Sequence, residues 1–156
     1  MPRLRSLALV LLVGVGLTGC AGTVSMEPAE NANATLCADV SVRLPDTVAG
    51  LQRRWTDAQS TGAWGDPAAV LLTCGVAPPG PTTLRCQTVA GVDWIIDESR
   101  APKYLFTTYG RTPAVEVFVD YDAVSGGEAL QALSPILQQL PKNAECVAPE
   151  DATPAP

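Results

Sequence analysis

Four cysteines behind an export leader constrain this fold more than any other feature of the sequence. The chain opens MPRLRSLALVLLVGVGLTGC, with Arg3 and Arg5 ahead of an apolar run from Ser6 to Leu17. That run is about 12 residues long, shorter than the roughly 20 that span a bilayer as a helix. A charged start, a short apolar core and small residues at its end describe a secretory signal, not an anchor helix. Cys20 closes the leader, and Cys37, Cys74, Cys86 and Cys146 follow. An even number of cysteines in an exported chain reads as two disulfides. Of the three connectivities open to four cysteines, the expected one is Cys74–Cys86 with Cys37–Cys146. Between Cys74 and Cys86 lies APPGP, whose prolines and glycine reverse the chain and bring its flanks together. The second bridge then ties the first element of the domain to its last. In the chain-entropy account the short loop contributes about 3 kcal/mol and the long one about 4–5 kcal/mol. Net stability of a domain this small is only about 5–15 kcal/mol, so the bridges decide whether it folds. Metal binding is the competing use of four thiols, but the chain has no CxxC pair and no His, and no metal site is assigned.

Leu17-Thr18-Gly19-Cys20 resembles the lipobox of bacterial lipoprotein precursors. The resemblance implies a diacylglyceryl group on the Cys20 sulfur and cleavage that makes Cys20 the first mature residue. The alternative is an ordinary signal peptide with a cysteine near its cleavage site. Each buried methylene contributes about 0.8 kcal/mol, so two acyl chains anchor stably where one does not. The expected address is the outer face of the cytoplasmic membrane, with the bilayer as a partner through the lipid on Cys20.

Removing residues 1–19 takes away Arg3 and Arg5 and no acid, leaving 8 basic against 16 acidic residues, a net charge of −8. The remaining bases are scattered, and only Arg53 and Arg54 are adjacent. Nucleic acid and anionic surfaces call for clustered Lys and Arg, so no nucleic-acid partner is expected. The Arg, Ala, Gly, Pro and Val bias fits GC-rich coding, as in an actinobacterium.

The sequence divides into a signal peptide (1–19), a lipidated cysteine with a flexible tether (20–35), a globular domain (36–147) and a disordered tail (148–156). Thr35 is the expected cap of a first helix, LCADVSVRL, in which Leu36, Val40 and Leu44 share a face and Pro45 stops the run. DTVAGLQRRWTDAQSTG holds either a short strand or an irregular crossing. Ala68–Val76, apolar on both faces, reads as a central strand. GVDWIIDES alternates, with Val92, Trp94 and Ile96 opposite Asp93 and Asp97. KYLFTTYG and AVEVFVDYD, separated by Gly110-Arg111-Thr112-Pro113, form a hairpin. In SGGEALQALSPILQQLP, Leu130, Leu133, Leu137 and Leu140 recur at helical spacing behind Ser125. Pro135 either kinks that helix or starts a second one capped by Ser134. The expected class is α+β: a single small domain, with an antiparallel sheet of about four strands and the N- and C-terminal helices packed on one face.

With no His, a Ser-His-Asp or Cys-His arrangement is impossible, and VSGGEAL lacks the Lys and spacing of a phosphate loop. A carboxylate pair is the remaining common catalytic apparatus. Asp93, Asp97, Glu116, Asp120 and Asp122 could share a polar sheet face, but solvated strands carry such charges routinely and no calcium-loop spacing appears. Neither a catalytic residue nor a cofactor is assigned. Trp55, Trp64 and Trp94 raise a stacking surface for sugars or lipids. The alternation puts Trp94 in the core, whereas Trp64 either packs over the sheet edge or lines a groove. Asp66, before Pro67, is held in extended geometry, and Arg111 is its expected ionic partner. Trp64, Asp66 and Arg111 are therefore the candidate binding or structural residues.

LTGC, WGDPAAVLLTCGV, GVDWII and YGR followed by VEVFV together resemble an actinobacterial lipoprotein family known as a domain of unknown function (family 3515). The similarity runs from about Cys37 to Cys146 and is most specific in the WGDP-to-CGV and GVDW blocks. It implies an envelope lipoprotein with one small domain and carries no established activity. The expected function is a lipid-anchored, non-enzymatic binding or accessory module of the cell envelope, with an envelope protein as its possible partner. The alternatives are a small carboxylate enzyme and a domain that binds calcium, glycan or lipid.

Overall fold

Valine at every second position between Ala114 and Asp120 makes this segment a strand with one face turned to the core: Val115, Val117 and Val119 are fully buried, while Glu116, Phe118 and Asp120 are not. The structure is a computed structural model that describes residues 22–147. The leader with Cys20, and the tail from 148 on, lie outside the described residues. Two four-stranded meanders make up the sheet. The first comprises β1 (Thr47–Val48), β2 (Leu51–Arg54), β3 (Thr61–Trp64) and β4 (Val70–Val76). The second comprises β5 (Arg85–Val89), β6 (Val92–Arg100), β7 (Lys103–Thr108) and β8 (Ala114–Asp120). Antiparallel pairing of β4 with β8 joins them, giving the order β1-β2-β3-β4-β8-β7-β6-β5.

The expected sheet of about four strands is thereby corrected to one of eight among the described residues, flanked by two short helices. The missed strands have a common physical character. β1, β2 and β3 are two to four residues long, too short to display a period of two. β5 is an edge strand, exposed or half-buried throughout, so no alternation marks it. Two tight hairpins also lack the usual turn signal in the sequence. Ala49-Gly50 and Ala90-Gly91 turn β1 into β2 and β5 into β6, with φ of 48° and 79°, and of 44° and 76°. Such turns need positive φ at both central residues, and Asn-Gly is their usual signal; here Ala stands in the first position. The central placement of β4 and the hairpin of β7 and β8 are as the sequence indicates.

One core lies on one face of the sheet. Val70, Leu72 and Cys74 of β4, Trp94 and Ile96 of β6 and Phe106 of β7 meet the helices there. Helix α1 (Thr35–Ser41) contributes Cys37 and Val40, and α2 (Gly126–Leu137) contributes Ala129, Leu130, Leu133 and Leu137. Burial of each such large apolar side chain stabilises by about 1.5–3 kcal/mol. Ser125 caps α2, its hydroxyl accepting the N–H of Glu128 at 3.5 Å. The helix runs on through Pro135, because a proline three residues from the C-cap forfeits a single backbone bond. Neither helix is long and apolar enough to cross a membrane.

The disulfides are Cys37–Cys74 and Cys86–Cys146, not the expected Cys74–Cys86 and Cys37–Cys146. APPGP does not close a hairpin. It starts a crossing from the middle of the sheet to its far edge, with β8, β7 and β6 between. Four strand spacings put Cys74 and Cys86 about 19 Å apart, far beyond the ~7 Å that a disulfide tolerates between Cα atoms. They also face opposite ways. Cys74 pairs across β4 and β8 with core-facing Val115, whereas Cys86 is in register with Ile95, on the face opposite Trp94 and Ile96. Cys74 is left to meet α1 beneath it, and Cys86 to meet the C-terminal segment.

Two glycines permit the chain to close. A Cβ on Gly75, whose φ is +100°, would lie 2.5 Å from the backbone of Asn31, and one on Gly110 (φ +65°) would lie 2.0 Å from the Ala144 carbonyl oxygen. The segments before α1 and after α2 therefore run directly against the ends of β4 and β8.

Candidate functional site

The three residues singled out from the sequence do not form a site together. Trp64 is fully buried, and its Nε1 donates to the Pro45 carbonyl at 2.9 Å. It lines no groove. Its ring crowds Gly62, where a Cβ would lie 2.8 Å from the indole. Asp66 does not reach Arg111 but pairs with Arg54 at 2.8 Å, its own side chain 83% exposed. Exposed pairs of this kind contribute about 0–1 kcal/mol. The reason for the mismatch is register. Asp66 precedes β4 at the end where Val70 meets Val119, whereas Arg111 precedes β8 at its other end. The length of β8 separates them by about 20 Å.

Arg111 is buried and has a structural task. Its Nη1 donates to the carbonyls of Gln138 and Leu140, and its Nη2 donates to that of Gly91 at 3.2 Å. Gln138 is the C-cap of α2, so the guanidinium satisfies carbonyls that the helix end leaves open and faces the negative pole of its dipole.

The carboxylates scatter in the same way. Asp93 is buried, accepts the Thr88 hydroxyl and lies 3.4 Å from Lys142 Nζ. Asp97 accepts the N–H of Ser99, and Asp120 that of Asp122. Glu116 projects from the sheet face opposite the helices, between Thr73 and Thr107. Burial there raises its carboxyl above the usual glutamate range, against the smaller pull of Arg100. No group of three or more His, Cys, Asp or Glu that could hold a metal ion occurs among the described residues.

A concave polar surface lies elsewhere. A cleft of about 430 Å³ is lined by Asp46, Arg53, Arg54, Trp55 and Thr56. Its arginines are positioned by the fold. Arg53 donates to the Leu44 carbonyl at 3.0 Å and lies 3.5 Å from that of Ser41. Arg54 reaches the Gly65 carbonyl at 3.0 Å and the Gly22 carbonyl at 2.7 Å. Trp55, next in sequence, is 80% exposed. The sequence carries one signal of this exposure. In QRRWTD the tryptophan has only Arg53 and Asp57 two positions away, so no apolar stripe at strand spacing includes it.

The segment leading into the domain forms a strap bonded to residues of the cleft. Val24 N–H donates to the Trp55 carbonyl at 2.8 Å, and Val24 bridges Thr56 in parallel. Asp57 accepts the Met26 N–H at 2.8 Å and the Ser25 hydroxyl at 2.9 Å. Further along, Asn31 N–H meets the Gly75 carbonyl, and Ser60 donates to that of Ala32. Residues read from composition as a tether are, from Gly22 on, bonded to the domain. A second hollow, of about 360 Å³, surrounds the Cys86–Cys146 bridge at the other edge of the sheet and includes Leu84, Ile95, Tyr109 and Val147.

Residues 7–145 match one protein family, described as a protein of unknown function (DUF3515). No curated protein and no solved structure matches the chain.

Proposed function

This chain belongs to the DUF3515 family of proteins of unknown function, and from its own residues we propose that it is a lipid-anchored, non-enzymatic binding or accessory module of the cell envelope. Cys20, at the end of LTGC, is the lipidated residue, and the domain works on the outer face of the cytoplasmic membrane. The observation that carries this reading is the strap. Gly22 to Met26 are bonded to Arg54, Trp55 and Asp57, so the folded domain begins within two residues of the anchor cysteine. A domain seated on its anchor suits a module that holds a surface at a fixed height above the bilayer.

The residues best placed for chemistry support the same reading. Arg111 holds a helix end, Trp64 fills the core and Asp93 is engaged by Thr88 and Lys142. Among the described residues, the Trp55 cleft at one edge and the Leu84 and Val147 hollow at the other are open to partners.

Metabolic labelling with a fatty-acid analogue tests the anchor. The wild-type chain should take up label and fractionate with membranes, and Cys20→Ala should do neither. Equal labelling of both would overturn the assignment. Crosslinking and pull-down from intact membranes tests the accessory role: a single envelope complex supports it, and a stoichiometric small molecule in place of protein would replace it.

A further inference from the structure

We infer that the cleft face bearing Trp55 rests on the bilayer, with the Trp55 ring seated among the lipid headgroups of the leaflet that holds the anchor. The inference rests on the lipid-anchor reading of Cys20 and deepens it, from attachment to a fixed orientation of the domain. Its first support is chain length. Gly22 is bonded to Arg54 through its carbonyl at 2.7 Å. Cys20 is two residues earlier, so its Cα lies within about 7 Å of that of Gly22 in any conformation. The acyl chains on Cys20 therefore enter the membrane close beside Arg54 and Trp55, and the bonds of Val24, Ser25 and Met26 to Trp55 and Asp57 hold that side of the domain near the anchor.

The second support is what this side exposes. Trp55 at 80% and Val42 at 79% are the two most exposed large apolar side chains of the described domain. Val42 is next in sequence to Ser41, whose carbonyl lies 3.5 Å from Arg53 Nη2. A tryptophan with an apolar body and a polar N–H settles at the headgroup level of a bilayer. Arginine stems lie along apolar surface while their guanidinium groups stay at the polar layer. Charge does not drive the contact: Asp46, Asp57 and Asp66 stand among Arg53 and Arg54, so the aromatic ring and the covalent anchor do. The β5 edge, with Leu84, Val147 and the Cys86–Cys146 bridge, lies at the other end of the sheet order. This orientation turns it away from the membrane.

Bromolipid quenching of tryptophan fluorescence tests the inference on the purified, lipidated chain. The vesicles are phosphatidylcholine and phosphatidylglycerol carrying bromine near the top of the acyl chains. Trp64 and Trp94 are fully buried and serve as an internal reference, and Trp55→Phe identifies the third emitter. The expected result is co-flotation with vesicles, a blue shift of the Trp55 component and its loss on bromolipid. Trp55→Phe should still float through its acyl chains and lose the quenchable component. Co-flotation with Trp55 emission unshifted and unquenched overturns the orientation while leaving the lipid anchor standing. Failure of the wild-type chain to float overturns the anchor and the orientation together.

Discussion

Asp57 accepts the backbone N–H of Met26 at 2.8 Å, across 31 residues of sequence. With the Ser25 hydroxyl at 2.9 Å, this contact ties the start of the domain to the connection between β2 and β3. Asp57→Ala should release the strap without unfolding the sheet. Hydrogen exchange at Val24 and Met26 should accelerate, while amides of β4 and β8 keep their protection. Equal protection of Val24 in wild type and variant would show that Asp57 does not hold the strap.

The same contact gives a pH dependence. The Met26 N–H, and after it the Ser25 hydroxyl, hold the Asp57 carboxyl below the usual aspartate range. A carboxyl lowered on folding contributes stability above its unfolded value of about 3.9, lost as pH falls through the lower folded value. Exchange at Met26 should therefore be flat from neutral pH to about pH 4 after correction for intrinsic rates, and rise only below it. A rise centred near pH 6 would point to another group.

Arg111 should be among the most sensitive positions in the chain. Arg111→Met leaves the Gln138, Leu140 and Gly91 carbonyls without their charged donor. Hydrogen bonds to a charged group contribute about 1.5–3 kcal/mol each, so a loss above about 3 kcal/mol in denaturant unfolding is expected. Asp66→Asn should cost little, and a double-mutant cycle between the two should show coupling within about 0.5 kcal/mol of zero. Coupling well above that would restore the Asp66–Arg111 pair.

The two disulfides should differ in accessibility. Cys37 and Cys74 are fully buried beneath α1, whereas Cys86 and Cys146 lie half-buried at the sheet edge. Mild reductant on the native protein should open Cys86–Cys146 first, read by mass spectrometry of alkylated peptides. The closed loops of 37 and 60 residues correspond to about 4 kcal/mol each in the chain-entropy account. Peptides joining Cys74 to Cys86 after digestion would contradict the connectivity.

Glu116→Gln should stabilise the domain at neutral pH. Burial raises the Glu116 carboxyl on folding, so its ionised form opposes the folded state. Stability from such a group is fully present below the unfolded value and is lost as pH rises through the folded one. The gain of the amide should be below about 1 kcal/mol, since the side chain is partly solvated, and should vanish near pH 4. An equal effect at pH 4 and pH 7 would show that charge is not the cause.

Particular residues show how far the sequence could be read. Val92, Trp94 and Ile96 declare their strand because alternation is a property of neighbours in the chain, and the same holds for Val115, Val117 and Val119. Leu130, Leu133 and Leu137 declare α2 at helical spacing, with Ser125 before them. Gln52, Arg53 and Arg54 declare nothing, because a four-residue strand with no fully buried residue has no face to report. At the cleft, Trp55 is legible as an outlier in a polar run, whereas Trp64, beside a glycine turn, has the same local look as a surface residue. Only packing shows that Trp64 is under the sheet and Trp55 outside it.

The sequence by itself determined the export leader pattern, the even set of cysteines, the strands that alternate and the helix that carries the leucine stripe. These follow from local covalent spacing and from the period of each backbone. Tertiary structure alone decided which cysteines meet, which tryptophan is exposed, and that Arg111 closes a helix and does not pair with Asp66. Those outcomes depend on strand order, and strand order is set by β4 choosing β8 as its partner, Val70 with Val119 and Val76 with Ala114, far apart in the chain. Periodicity says which face a residue takes; it does not say which strand lies beside it.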